Sequence, residues 1–177
     1  DLDLGLQVGL ARNAHYHRLA TRLRDHGFEP GRDENGELTR HRWVSRPRGI
    51  LVDFLTPQGS QRKGTLAAVD TDLEASATPG LGLAFADRVW VEMDDARRGT
   101  RGDRRKLPVC GPGAFVILKA LAFRSRRVTK DAYDIDYVLR HYGETVEAVA
   151  ERMRPLQADA VGRDAVQCLR EDFADLG

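Results

Sequence analysis

The first eight residues, Asp1-Leu2-Asp3-Leu4-Gly5-Leu6-Gln7-Val8, carry an apolar residue at every second position. Side chains of a β-strand point alternately to opposite faces, so Leu2, Leu4, Leu6 and Val8 share one face and Asp1 and Asp3 share the other. The chain is thus expected to begin with a strand that buries one side and presents paired carboxylates on the other. Because this pattern starts at the first residue, which is not methionine, further sequence is expected before it.

The remainder divides into a strand-rich part and a helix-rich part. From about Asn13 to His26, Tyr16, Leu19, Ala20 and Leu23 recur at helical spacing, and Gly27 ends the pattern as a C-terminal glycine does. Extended runs are expected at about Leu38 to Val44 and Ile50 to Leu55, and again at Arg88 to Glu92 and Leu107 to Cys110, the last two forming a hairpin. Between Thr56 and Ala86 the pattern is mixed, with a short helix indicated near Leu66 to Ala77. After Gly111-Pro112-Gly113, where Pro112 suits a first helical turn, the chain reads as helical. Ala114 to Phe123 is strongly apolar. A second helix is expected to open at Thr129, which is placed to cap it, and to carry the stripe Ile135, Val138 and Leu139. Helices near Glu144 to Met153 and Ala158 to Phe173 follow. The fold class expected is α/β (α+β), a mixed sheet flanked by helices, with residues 1–110 as the core and 111–177 as a C-terminal helical region.

Composition narrows the class of protein. A chain of 177 residues with 41% hydrophobic and 31% charged residues is long enough to bury a core and has no apolar run of the length that spans a bilayer. A cytoplasmic protein with no membrane role is the expectation. Cys110 and Cys168 lie far apart without the spacing of a zinc site or a disulfide framework, and half-buried thiols are the simpler reading. Lys63, Lys106, Lys119 and Lys130 are the only lysines among 28 basic residues, so arginine supplies the rest. Arginine is the better bidentate partner for phosphate, although codon bias would produce the same excess.

Three carboxylates and a basic block carry the chemistry. Two aspartates two residues apart on one strand face stand about 7 Å apart at their α-carbons, near enough for their carboxylates to converge. Asp53 lies in Ile50-Leu51-Val52-Asp53-Phe54-Leu55, a carboxylate within an apolar strand. If that strand lies beside the first, Asp1, Asp3 and Asp53 meet, and such a cluster calls for cations. Mg²⁺ prefers hard oxygen ligands of this kind when it also binds substrate phosphates. In the helical part, Lys119 is costly to desolvate within an apolar helix unless its ammonium reaches an anion or water, which gives it either a phosphate role or a snorkelling one. Arg126, seven residues on, falls on the same face as Lys119, whereas Arg124 points elsewhere. Asp131 and Asp134 share a face of the next helix, and Asp131 also suits the helix dipole. The arginine-rich stretch from Arg97 to Lys106 is a candidate RNA-backbone contact, with a solvated loop as its plain alternative. His15 and His17 face different sides of their helix and are not expected to form a metal site.

Taken together, the opening Asp1-Leu2-Asp3-Leu4, the later apolar-Asp53-apolar strand and the block from Lys119 to Asp136 resemble the AbiEii-type nucleotidyltransferases. These are a branch of the polymerase-β-like superfamily that includes toxins of bacterial toxin–antitoxin systems. The resemblance implies a nucleotidyltransferase-like mixed sheet. It implies Mg²⁺ on Asp1, Asp3 and Asp53, and a block of Lys119, Arg124, Asp131 and Asp134 in which the lysine holds nucleotide phosphates and Asp134 is catalytic. Arg126, on the same helical face as Lys119, joins Lys119, Arg124 and Asp131 as a candidate nucleotide-binding residue. In the family a Gly-Gly or Gly-Ser turn before the aspartates holds the triphosphate. That turn is absent from this sequence, so either it lies upstream or this copy is inactive. Lys130 stands where the family often has arginine before aspartate, and Arg127 is the substitute nearest in sequence.

The activity so implied is Mg²⁺-dependent transfer of a nucleoside monophosphate from a nucleoside triphosphate to an acceptor hydroxyl. RNA, including the 3′ end of tRNA, is one acceptor, while protein side chains and small molecules stay open. A cognate antitoxin is the implied protein partner. The competing expectations are an inactive nucleotidyltransferase-fold module that binds a nucleotide or protein, and an α/β domain without a nucleotide role.

Overall fold

The computed structural model describes residues 2–7, 16, 18–33, 35–94 and 104–174. The chain is a mixed α/β protein, with a mixed sheet in its N-terminal part and a helical C-terminal part. It divides into two compact units, Asp1–Leu81 and Gly82–Gly177. No helix among the described residues is long and apolar enough to cross a membrane.

The first unit is built on a six-stranded sheet. Its strands are β1 (Leu2–Gly5), β2 (Glu29–Arg32), β3 (Leu38–Ser45), β4 (Ile50–Pro57), β5 (Leu66–Asp70) and β6 (Leu73–Thr78), with the helix α1 (Leu19–Asp25) between β1 and β2. The path runs β2-β3-β4-β6-β5, and β1 also pairs with β4. β4 is the axis of this sheet: β3 runs antiparallel along it, while β1 and β6 both run parallel to it. Val52, Phe54 and Thr56 of β4 are buried and the residues between them are half-buried, the alternation its sequence carries. Trp43, Val52, Phe54, Leu73 and Ala75 form the core of this unit with Leu6 and Ala20. Of the opening leucines, Leu6 is the one buried in that core, whereas Leu2 and Leu4 are exposed. Val8 lies outside the described residues, as do His15, His17 and the first residues of the helix expected from Asn13.

Residues 66–77, where a short helix was indicated, instead form the antiparallel pair β5–β6. Leu73, Ala75 and Ala77 are buried on one side of β6 with Glu74, Ser76 and Thr78 between them, a period of two that small alanines make faint. β2 was not expected either. Its residues Glu29-Pro30-Gly31-Arg32 have the composition of a turn, yet they pair with β3 at the end of the sheet, where proline is tolerated.

The second unit comprises α2 (Leu81–Ala86), the hairpin of β7 (Arg88–Asp94) and β8 (Arg104–Cys110), and the helices α3 (Pro112–Arg126), α4 (Thr129–His141), α5 (Val146–Met153) and α6 (Ala160–Asp172). α2 begins on the last residue of the first unit. The strand pattern groups β7–β8 with the first 110 residues, but the compact unit places it with the helices. Ala114, Val116, Ile117 and Ala120 of α3 are buried with Ile135 of α4, Val149 and Met153 of α5, and Ala165 of α6. This is why α3 reads as strongly apolar. Val128, not Thr129, is the N-cap residue of α4. Arg127 adopts a left-handed conformation and Val128 an extended one just before the helix, and no side chain caps it.

Candidate functional site

Two groups of the residues singled out by sequence are formed, one within each unit. In the first, the parallel register of β1 and β4 sets Asp3 opposite Asp53. Directly opposed residues of neighbouring strands project to the same face with their α-carbons about 5 Å apart. That face is the one away from the buried Val52 and Phe54. Asp3 is exposed, while the Asp53 side chain is 17% exposed. Asp1 lies outside the described residues, so the described part of this cluster has two carboxylates. Among the described residues no group of three or more acidic, histidine or cysteine side chains gathers closely enough to hold a metal ion.

Arg42 extends the row on the other side. It pairs with Asp53 in the antiparallel register of β3 and β4, and its Nε and Nη2 donate to the two carboxylate oxygens at 2.7 Å each. Gly31 makes room for this geometry, since a Cβ there would meet the Arg42 Cγ at 2.8 Å. The sequence reading missed Arg42. Its one signal was its position in β3 on the face opposite Trp43.

The donor set fits Mg²⁺ in kind. That ion uses one or two carboxylates and fills its other positions with water and phosphate oxygen. The bidentate arginine does not exhaust Asp53, because an ionised carboxylate has about four lone-pair sites. Asp3 and Asp53 are the described residues that would hold the ion.

In the second group, Lys119 and Arg126 of α3 both reach Asp131 of α4. The Arg126 guanidinium donates to both Asp131 oxygens at 2.6 Å, and Lys119 Nζ lies 3.4 Å from Oδ1. Lys119 makes its closer pair with Asp134 Oδ2 at 2.6 Å, and Lys130 approaches the same oxygen at 3.5 Å. The Asp131 side chain is fully buried beneath these cations. The Arg126 guanidinium, its strongest partner, holds the Asp131 carboxyl below the usual carboxylate range against the opposing effect of burial, and Lys119 adds to the lowering. For Asp134, burial pushes the carboxyl up, but the Lys119 ammonium and, less strongly, Lys130 bring it below the usual range. Asp131 therefore does more than complement a helix dipole. It is the buried anion on which the α3–α4 corner closes.

No family model, curated protein or solved structure matches this chain.

Arg124 does not join this network. Its Nε donates to Asp172 at 2.7 Å and its Nη2 to Glu171 at 2.7 Å, fastening α3 to the end of α6. Arg127 also pairs with Asp172, at 2.9 Å. The Arg124 and Arg127 guanidiniums hold the Asp172 carboxyl below its ordinary range. Asp172 was not singled out by sequence, because its partners are 48 and 45 residues away. Of the stretch from Arg97 to Lys106, Arg104, Arg105 and Lys106 lie exposed on β8, and residues 97–103 are outside the described part.

Proposed function

We propose that the protein is a Mg²⁺-dependent nucleotidyltransferase that moves a nucleoside monophosphate from a nucleoside triphosphate to an acceptor hydroxyl. The observation that carries this reading is the placement of Asp3 and Asp53 side by side on the outward face of neighbouring parallel strands. Like charges directly opposite one another on a sheet are destabilising, and a ligand site is one reason to keep them. A divalent cation bound there supplies neutralisation of the triphosphate and activation of the acceptor hydroxyl. Asp3 and Asp53 hold that charge in place, and Arg42 fixes the orientation of the Asp53 carboxylate. Lys119 is the cation that the resemblance assigns to phosphate. The resemblance to AbiEii-type proteins adds RNA, including the tRNA 3′ end, as an acceptor and an antitoxin as a partner.

A specific observation favours a second reading, an inactive nucleotidyltransferase-fold module that binds a nucleotide or protein. Lys119 is already engaged by Asp134 at 2.6 Å, and phosphate must compete with that carboxylate. The test incubates the protein, with any preceding residues its gene encodes, with Mg²⁺, each labelled nucleoside triphosphate in turn, and pooled cellular RNA and protein. The expected result is label transferred by the wild type and lost in Asp3→Ala and Lys119→Ala. Nucleotide binding with no transfer to any acceptor selects the binding module instead.

A further inference from the structure

The β7–β8 hairpin exposes more apolar surface than its neighbours. Val91, Met93, Leu107 and Val109 share one face and are exposed, and Trp90 on the other face is 59% exposed. A two-stranded ribbon is marginal by itself, and added strands supply the stability it lacks. Its two edges are not equivalent. Gly111 donates its backbone N–H to the Asp87 carbonyl at 2.7 Å, which fixes the alternation of the ladder. By that alternation Val89, Val91 and Met93 bond across to β8, while Arg88, Trp90 and Glu92 turn their N–H and C=O groups outward. On β8 the outward positions include Pro108, opposite Trp90, which has no N–H to offer. Proline together with the exposed Arg104, Arg105 and Lys106 is the kind of device that protects an edge from strand addition.

The β7 edge lacks this protection and is self-complementary. Its sequence Arg88-Val89-Trp90-Val91-Glu92 is symmetric in apolar character about Trp90 and antisymmetric in charge. Two copies laid antiparallel about Trp90 set Arg88 opposite Glu92 twice and Val89 opposite Val91 twice. The backbone groups that meet are the outward ones. Sliding the copies by two residues sets Trp90 against Arg88 or Glu92 and gives up both Arg88–Glu92 pairs. Sliding by four sets Arg88 against Arg88 or Glu92 against Glu92, which is disfavoured. The existing partners leave capacity: Arg152 Nη2 reaches the Arg88 carbonyl at 3.4 Å, using one of its two lone pairs, and Glu92 meets Arg104 and Lys106 at 3.5 Å each. We infer that β7 is a self-recognition edge, through which two copies of this chain join into a four-stranded antiparallel sheet about a two-fold axis at Trp90. This inference is independent of the activity proposed above.

Sedimentation of the full chain across the micromolar range tests it, with a reversible monomer–dimer equilibrium as the expected result. Glu92→Pro removes an outward N–H and no bond to β8, and is expected to weaken association about tenfold or more with the secondary structure retained by circular dichroism. Arg88→Glu and Glu92→Arg each place like charges in opposition, so each alone is expected to be monomeric. Mixed together they restore both opposite-charge pairs and are expected to form a heterodimer. If Glu92→Pro fails to fold, the mixing experiment decides. A wild type that stays monomeric at the highest concentration, or a dimer unaffected by these substitutions, overturns the inference.

Discussion

Lys119 Nζ and Asp134 Oδ2 lie 2.6 Å apart, with each side chain only 19% exposed. This pair takes a lysine that the sequence assigns to phosphate and gives it a partner inside the protein. A half-buried pair of this kind is costly to break from one side, because the remaining charge is left without compensation. Lys119→Met and Asp134→Asn are each expected to lower stability by about 1 to 3 kcal/mol, and the double variant by less than their sum. Denaturant unfolding of the four proteins measures the coupling. Additive losses would show that the pair contributes nothing to stability.

The Asp131 network makes stability depend on pH in a definite direction. Its carboxyl titrates below the ordinary range because of Arg126, and Asp134 and Asp172 are lowered as well. A group with a depressed folded pKa contributes its full stabilisation above its unfolded pKa, about 3.9 for aspartate, and loses it as the pH falls through the folded value. Thermal unfolding between neutral pH and pH 2 is expected to show a steep loss on the acid side. Asp131→Asn should be less stable at neutral pH by about 2 to 3 kcal/mol and should flatten the acid limb. An unchanged limb would remove Asp131 from this account.

Asp3 and Asp53 should separate stability from activity. Asp53 is tied to Arg42, so Asp53→Asn gives up a charge-assisted pair and is expected to cost about 1 kcal/mol. Asp3 instead faces a like charge across the strands. Asp3→Asn is therefore expected to leave stability unchanged or to raise it by up to about 0.5 kcal/mol, and to abolish the nucleotidyl transfer proposed above. A residue whose removal stabilises the fold while ending the activity is kept for function. Mg²⁺ is expected to raise the melting temperature of the wild type more than that of Asp3→Asn. Equal shifts would place the ion elsewhere.

These residues also show what sequence reveals and what it conceals. The alternation in Ile50 to Leu55 and the helical stripes after Pro112 were legible because large apolar side chains mark their faces. β5–β6 was not, because Ala67, Ala68, Ala75 and Ala77 carry a strand period weakly and have high helix propensity. Lys119 stood out as a charge within an apolar helix, and Arg126, Asp131 and Asp134 stood out by helical spacing. Arg42 on Asp53, and Asp172 under Arg124 and Arg127, depend on sheet register and helix packing, which spacing along the chain does not contain.

Asp87 is the clearest case of a residue that only the fold explains. It is 4% exposed, lies just before β7, and accepts a hydrogen bond at 2.8 Å from the backbone N–H of Ala114 in the first turn of α3. It also forms an ion pair with Arg152 of α5. A carboxylate 27 residues upstream thus does the work of an N-cap, where Gly111 itself has no side chain to offer. Asp87→Ala removes the cap and leaves Arg152 without its buried partner, an expected loss of about 3 to 4 kcal/mol. Gly111→Ala is expected to be destabilising for a reciprocal reason. A Cβ at that position would overlap the Asp87 carboxylate and force it off the helix end. Because the two changes act on one contact, the double variant should be distinctly more stable than the sum of the single losses predicts. Calorimetric unfolding of the three variants checks this, and strict additivity would mean that Gly111 and Asp87 act separately.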